Sequence, residues 1–88
     1  MNARKLVVGG LYRHVRTRNL YRVVGSALSA EDLTVKRVIY KQVEKSLSRD
    51  GKTSIVRGTM WSREEHSFLE TFSNGKERFE YVFNGHRM

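Results

Sequence analysis

The chain of 88 residues is 39% hydrophobic and 10% aromatic, which supplies one compact core and leaves no room for a second domain. It has no cysteine, and its N-terminal MNARKLVVGG lacks an apolar run long enough for a signal peptide or a membrane span. We therefore expect a single cytoplasmic domain over residues 1–88. The net charge of +8 is concentrated in residues 1–62, which hold 13 basic and 4 acidic side chains, and such a field attracts polyanions.

Hydrophobic residues alternate mostly with a period of two, which predicts strands. The first half is expected to contain strands at Tyr12–Val15, Leu20–Leu28 and Thr34–Lys45, because these segments are rich in β-branched and aromatic residues. Gly25 lies inside the second strand and predicts a bulge or a bend. Residues 29–32 (SAED) resemble a helix cap, so a turn or one short helical turn is expected there.

Two turn dipeptides organise the second half of the chain. Asp50-Gly51 predicts a hairpin whose second arm returns through Ile55–Trp61, and Asn74-Gly75 predicts another hairpin. Residues 63–66 (REEH) form a short helical candidate. The second hairpin would join residues 68–73 to 76–83 through a two-residue turn, pairing Phe72 with Glu77. One face would then carry Phe68, Glu70, Phe72, Phe79, Tyr81 and Phe83. The Glu70 carboxylate would need a partner there, and the basic first half of the chain offers several.

These segments together predict a mainly β fold. Five or six short antiparallel strands with glycine bends favour a small single-domain curled sheet or an SH3-like barrel, with one or two short helical turns. Closure or curling is favoured because it hides the unpaired edges of the sheet.

Several short motifs follow one another in a recognisable order. Residues 10–14 (GLYRH) and 21–27 (YRVVGSA) are similar to the patterns G-x-Y-R-H-Y-K and Y-x-V-x-G-x-A. Glu31 matches an acid that follows in the pattern, and residues 38–40 (VIY) match a V-V-Y strand. A W-V-R-P-x-x-M-F-x-E block is matched by Trp61, Arg63, Phe68 and Glu70, and a closing R-F by Arg78 and Phe79. The chain thus resembles the bacterial and phage family called domain of unknown function 1653 over residues 9–82. The resemblance implies a compact β-rich domain and no particular activity.

The sequence contains no pattern typical of catalysis. Its histidines lack the spacing of metal ligands, and residues 8–11 (VGGL) lack the Lys-Ser/Thr that completes a phosphate-binding loop. His14 is more simply interpreted as a structural hydrogen-bonding residue. We therefore expect no enzymatic activity, no metal and no cofactor.

Cations and aromatic rings alternate along the first two thirds of the chain, which is typical of a surface that binds nucleic acid. Phosphates need mobile cations, and unpaired bases need flat rings on which to stack. No recognition helix, zinc finger or RNA-recognition signature is present, so the surface would be a β surface. The residues predicted to contact phosphate are Arg16, Arg18, Arg22, Lys41, Lys45, Arg49 and Lys52, and the candidate stacking residues are Tyr12, Tyr21 and Trp61. The competing interpretation, which the sequence favours for each of them, makes Tyr12 and Tyr21 plain core residues.

Two other functions remain open at this point. A pocket for a nucleotide or small anion is indicated by polar and amphipathic residues at the motif positions: Arg13, His14, Trp61, Arg63, Glu70 and Arg78. The same residues are also compatible with a buried Arg–Glu network around Glu70. Alternatively, the basic half could cover an acidic surface of a host protein, as a phage or bacterial effector would.

Overall fold

Short antiparallel strands build the protein, as the period-two pattern predicts. The computed structural model describes residues 5–83, with the side chain of Phe83 excepted, so the predicted place of that side chain lies outside the described part of the chain. The elements in chain order are β1 (Leu11–His14), β2 (Leu20–Leu28), β3 (Lys36–Gln42), β4 (Ser46–Leu47), β5 (Ser54–Ile55), β6 (Met60–Glu64), α1 (Glu65–Phe68) and β7 (Phe79–Phe83). The mainly β class is confirmed.

Five of the strands form one antiparallel sheet in the order β6-β3-β2-β1-β7, and β4 pairs with β5 in a separate small hairpin. The large sheet curls strongly. Strands β6 and β7 are four spacings apart, about 19 Å on a flat sheet, yet the Arg63 guanidinium of β6 lies 5.3 Å from the centre of the Phe79 ring of β7. The two edge strands of this sheet do not pair with each other, so the described strands form an open, curled sheet.

A bulge in β2 contributes to this curl. The register with β3 shifts between Val23 and Gly25, so that Val24 has no partner and the strand bends at this point. The bulge predicted at Gly25 is thus confirmed, and β2 has the predicted bounds. Strand β3 is shorter than predicted, because residues 34–35 and 43–45 belong to the connections at its two ends.

The core lies on the concave face of the sheet and is largely aromatic. On β3, Val38, Tyr40 and Gln42 are buried while Lys41 between them is exposed, which is the alternation of a strand with one covered face. The core cluster consists of Tyr12, Val23, Val38, Tyr40, Phe68 and Phe79.

The helix α1 covers one end of this concave face. It is a single turn that follows directly on β6, and its buried residue is Phe68. The Phe68 ring stacks on Phe79 with 4.1 Å between ring centres and 11° between ring planes, and it meets Tyr12 edge to face at 5.1 Å. The sequence predicts this helical turn at residues 63–66, and the structure has it two residues further along the chain, at Glu65–Phe68.

The predicted strand at residues 68–73 is wrong, because Phe68 ends the helix and β7 pairs with β1 instead. A turn does form at Asn74-Gly75, but its loop has three residues. The amide of Phe72 donates to the carbonyl of Lys76, and Gly75 has φ +86°, as the bulged three-residue hairpin loop requires. Glu77 therefore pairs with Thr71 in an isolated β-bridge, and not with Phe72 as predicted, so the register differs by one residue.

The other predicted turns differ less from the structure. Asp50-Gly51 closes the short β4–β5 hairpin, where the Asp50 carboxylate accepts hydrogen bonds from the Ser48 hydroxyl and the Lys52 amide. These bonds lower the pKa of Asp50. The return arm predicted at residues 55–61 is divided between β5 and β6 by a turn at Gly58, which has φ +89°. Residues 29–32 form a turn without a helix.

The Phe68–Phe79 stack is expected to carry much of the stability of this small domain. Substituting Phe68→Ala should lower the free energy of unfolding by about 3–5 kcal/mol, since a buried phenyl ring is lost and a cavity remains. Urea denaturation followed by tyrosine and tryptophan fluorescence measures the change. Leu33→Ala is the control, because Leu33 is 71% exposed and should change the stability little. Equal stabilities of the two variants would contradict this view of the core.

Candidate functional site

The concave face is covered by α1 at one end and forms an open groove at the other. The groove encloses about 760 Å³ between the β1–β2 turn, the inner face of the sheet and the β4–β5 hairpin. Its lining consists of His14, Arg16, Thr17, Asn19, Tyr21, Tyr40, Gln42, Ser46, Leu47, Ser48, Arg49, Ile55, Trp61, Arg63, Arg78 and Phe79.

The charge of this lining is of one sign. Four arginines contribute to it, and none of the lining residues is acidic. Arg16, Arg49 and Arg63 form no ion pair with any carboxylate of residues 5–83. Within residues 5–83, the groove therefore offers an anion three arginines without a carboxylate partner, while the fourth, Arg78, pairs with Glu70.

Arg63 is oriented inside the groove by several contacts. Its Nε donates to the Tyr40 hydroxyl at 3.4 Å, one terminal nitrogen donates to the Ser67 hydroxyl at 3.3 Å, and the guanidinium lies over the Phe79 ring. These are neutral partners, so they orient the guanidinium without cancelling its charge. Arg16 and Arg49 lie on exposed parts of the rim, so their side chains can reach outward as well.

Trp61 is held in place by an almost fully buried amide. The Nε2 of Gln42 donates to the Glu44 carbonyl at 2.7 Å and to the Ser46 hydroxyl at 3.2 Å, which leaves Oε1 to accept the indole N–H of Trp61 at 3.1 Å. The indole remains 37% exposed. Its polar edge is satisfied and its position is set, so it presents a flat apolar surface to whatever enters the groove.

Tyr21 forms part of the aromatic floor. Its ring meets Tyr40 at 5.2 Å and Phe79 at 5.9 Å, both edge to face, and it is half-buried. The Tyr21 phenol is protonated at neutral pH and can donate a hydrogen bond, and burial raises its pKa further.

His14 is a neutral donor at the junction of the groove with the β1–β2 turn. Its Nδ1 accepts a hydrogen bond from the Thr17 amide at 3.3 Å, and its ring meets Phe79 edge to face at 4.9 Å. Burial, and then the positive charges of Arg63, Arg78 and Arg16, lower the pKa of His14. The neutral ring with an accepting Nδ1 carries its proton on Nε2.

Part of each of the two residue sets predicted from the sequence lies in this one groove. From the phosphate-binding and stacking set, Arg16, Tyr21 and Arg49 line it, together with Trp61. From the pocket set, the lining contains His14, Trp61, Arg63 and Arg78.

Other predicted contact residues lie elsewhere. Tyr12 is 1% exposed, and its hydroxyl accepts a hydrogen bond from the Val7 amide, so its prediction as a stacking residue is wrong and it is a core residue. Arg22 pairs with Lys41 in the sheet register, and this pair faces away from the groove because Tyr21–Gln42 and Val23–Tyr40 face into it. The Arg22 guanidinium donates to the Gly9 carbonyl at 2.8 Å. Arg18, Lys45 and Lys52 are exposed but do not line the groove.

Two members of the pocket set are also outside the groove. Arg13 lies opposite Glu80 on the far face of the sheet, with 3.6 Å between their charged groups. Glu70 has a basic partner, but this partner comes from the second half of the chain and not from the basic first half: Arg78 donates to the Glu70 carboxylate at 2.8 Å. Both side chains are partly exposed, so this is an ion pair beside the groove and not a buried network.

Sequence reasoning missed Gln42, Tyr40 and Phe79 as site residues. Gln42 stands two positions after Tyr40, so the period of β3 places both on one face, but an amide at the end of a strand gives no indication of its partner. Within residues 5–83, no group of three or more His, Cys, Asp or Glu could hold a metal ion. Likewise, no helix of that part is long and apolar enough to cross a membrane.

Comparisons with protein-family models, with curated proteins and with solved structures each returned no match. The resemblance to domain of unknown function 1653 therefore stays a prediction.

The electrostatic effect of the groove arginines can be measured through the pKa of His14. We expect His14 to titrate below the ordinary histidine pKa of about 6.5, and Arg63→Gln to move it back toward that value, because one of the charges that oppose protonation is removed. NMR titration of the imidazole protons follows this change.

The same shift has a consequence for stability. As the pH falls below the unfolded-state pKa, the unfolded chain takes up a proton at this position before the folded chain does, so His14 makes the folded state less stable in acid. A His14 pKa at or above the ordinary value would contradict the electrostatic description of the groove.

Proposed function

We propose that the protein is a non-enzymatic module that binds single-stranded nucleic acid in the concave groove. A base would lie against Trp61, and phosphates would contact the arginines of the lining. The observation that carries this proposal is the composition of the groove, which combines four arginines with exposed aromatic surface and contains no carboxylate. We keep the cytoplasm as the expected compartment.

The size and shape of the groove support a ligand with both a ring and phosphates. A volume of about 760 Å³ falls in the range typical of pockets for nucleotide-sized ligands. An isolated small anion would use the guanidinium groups but would leave Trp61 and Tyr21 without a partner. A nucleotide unit uses both kinds of group at once, since arginine suits phosphate and a flat ring suits a base.

A polymer is favoured over a free nucleotide by the position of the cations. Arg63 lies within the groove, whereas Arg16 and Arg49 stand on its exposed rim, where they can contact phosphates that continue beyond the bound unit. A single strand is favoured over a duplex because only an unpaired base can lie flat against Trp61. An acidic protein surface is the remaining alternative, and a flat surface of that kind would contact the rim without reaching Arg63.

The phosphate contacts can be tested with two variants of equal charge. Arg16→Ala/Arg49→Ala removes two charges from the groove rim. The control, Lys41→Ala/Arg57→Ala, removes two exposed charges that do not line the groove. We expect the groove variant to lose affinity for a fluorescent single-stranded oligonucleotide and to reduce the slope of log affinity against log salt by about 1.4, at about 0.7 per phosphate contact.

Fluorescence anisotropy at several salt concentrations measures both quantities. The control variant should keep most of the affinity and of the slope. An equal loss in the two variants would indicate non-specific attraction by net charge and would contradict the proposed site. No binding by the unmodified protein at low salt would reject nucleic acid as the ligand.

The stacking contact can be tested at Trp61, the single tryptophan of the chain. Trp61→Ala should weaken binding by about 1–3 kcal/mol, the usual worth of a base–aromatic stack, and oligonucleotide should quench the fluorescence of the unmodified protein. Met60→Ala is the matched control, because Met60 is the preceding residue of β6, is exposed, and faces away from the groove. Unchanged affinity in the Trp61 variant would remove the stacking role.

A further inference from the structure

A second, smaller cavity of about 260 Å³ adjoins the groove on the other side of the β1–β2 turn. It lies between that turn and the Asn74-Gly75 hairpin. Its lining consists of His14, Val15, Arg16, Phe72, Asn74, Lys76, Glu77 and Arg78. His14, Arg16 and Arg78 line both cavities, so these three residues form a shared wall.

The shared wall suits a phosphate. Arg16 is exposed and has no ion pair with residues 5–83, and His14 offers its Nε2–H. Arg78 uses its Nε for the Ser67 carbonyl and one terminal nitrogen for Glu70, which leaves further guanidinium N–H groups for another acceptor. A phosphate at this wall would touch groups that belong to both cavities.

The interior of the second cavity suits a base better than a phosphate. Phe72 contributes an aromatic ring that is 40% exposed, and the Arg78 guanidinium lies 5.1 Å from its centre. Apart from the shared wall, the lining carries one cation, Lys76, and one carboxylate, Glu77, so it offers a phosphate no net positive charge. The Asn74 Oδ1 accepts the Lys76 amide, so the amide N–H groups of Asn74 remain as donors toward the edge of a base.

We infer that the recognised unit is two consecutive nucleotides. One base lies against Trp61 in the groove, the next base contacts Phe72 in the second cavity, and the phosphate that links them lies on the shared wall. This inference rests on the proposed function and adds a site size, a second aromatic contact and a position for the bridging phosphate.

The test is a length series of oligonucleotides. The affinities of mono-, di-, tri- and hexathymidylate are measured by calorimetry, or by quenching of Trp61, with the unmodified protein and with Phe72→Ala. We expect the step from mono- to dithymidylate to raise the affinity about tenfold or more, since a second base gains a stacking partner. Phe72→Ala should abolish this step and leave the binding of monothymidylate unchanged.

Two further variants separate the ring from its apolar volume and from general effects. Phe72→Leu keeps apolar volume but not the ring, and it should lose most of the gain from the second nucleotide. Leu33→Ala removes an exposed apolar side chain outside both cavities and should keep the full gain. Circular dichroism checks that every variant is folded.

The outcomes distinguish this inference from the proposed function. Equal affinity for mono- and dithymidylate, with no effect of Phe72→Ala on either, would overturn the two-nucleotide site and leave the groove as a single-nucleotide site. An unchanged gain in Phe72→Ala would likewise overturn it. The absence of binding by every oligomer, hexathymidylate included, would reject the proposed function and the inference together.

Discussion

The stack of Phe68 on Phe79 is the contact on which the rest of the arrangement depends. Because α1 is only one turn long, Phe68 covers only one end of the concave face and leaves the other end open. Phe79 is shared by the two ends. Besides Phe68, its ring contacts Tyr21, Tyr40 and His14, and the Arg63 guanidinium lies over it. The side chains of the groove are therefore positioned by a core residue, and the packing of the core and the geometry of the site depend on the same contacts.

This arrangement leaves the Arg63 guanidinium partly buried among uncharged groups. A partly buried guanidinium normally has a carboxylate partner, since burial of an unpaired charge costs free energy. Arg63 has hydroxyls and a ring instead, and its positive charge adds to the effect of burial in lowering the pKa of His14. Neutral partners keep the charge available, and a bound anion would supply the missing countercharge. The proposed function would thus give Arg63 the negatively charged partner that it lacks among residues 5–83.

Much of the fold could be predicted from local pattern. The period-two alternation gave β2 with its bounds, and Gly25 and Asp50-Gly51 marked the bulge and a turn. Residues 68–73 were predicted wrongly because a single helical turn is too short to show a helical period, so its end at Phe68 was assigned to the start of a strand. The residues that follow form only the isolated bridge of Thr71 with Glu77. The three-residue loop at Asn74-Gly75 then shifted the register by one residue. Local sequence does not fix that loop length.

The candidate site could be predicted by residue type but not by arrangement. Arginines and aromatic rings were recognisable as a binding composition, yet Tyr12 proved to be core and Arg22 and Lys41 face away from the groove. The approach of Arg63 to Phe79 depends on the curl of five strands, and no short segment specifies that curl.

The most direct test of the central claim is an NMR titration of the labelled protein with a short single-stranded oligonucleotide. The account predicts that the largest shifts fall on the Trp61 indole N–H, the His14 ring and the Arg63 and Arg78 guanidinium groups, all within the groove. Shifts concentrated on Lys41 and its neighbours on the opposite face, with the Trp61 indole unmoved, would contradict it.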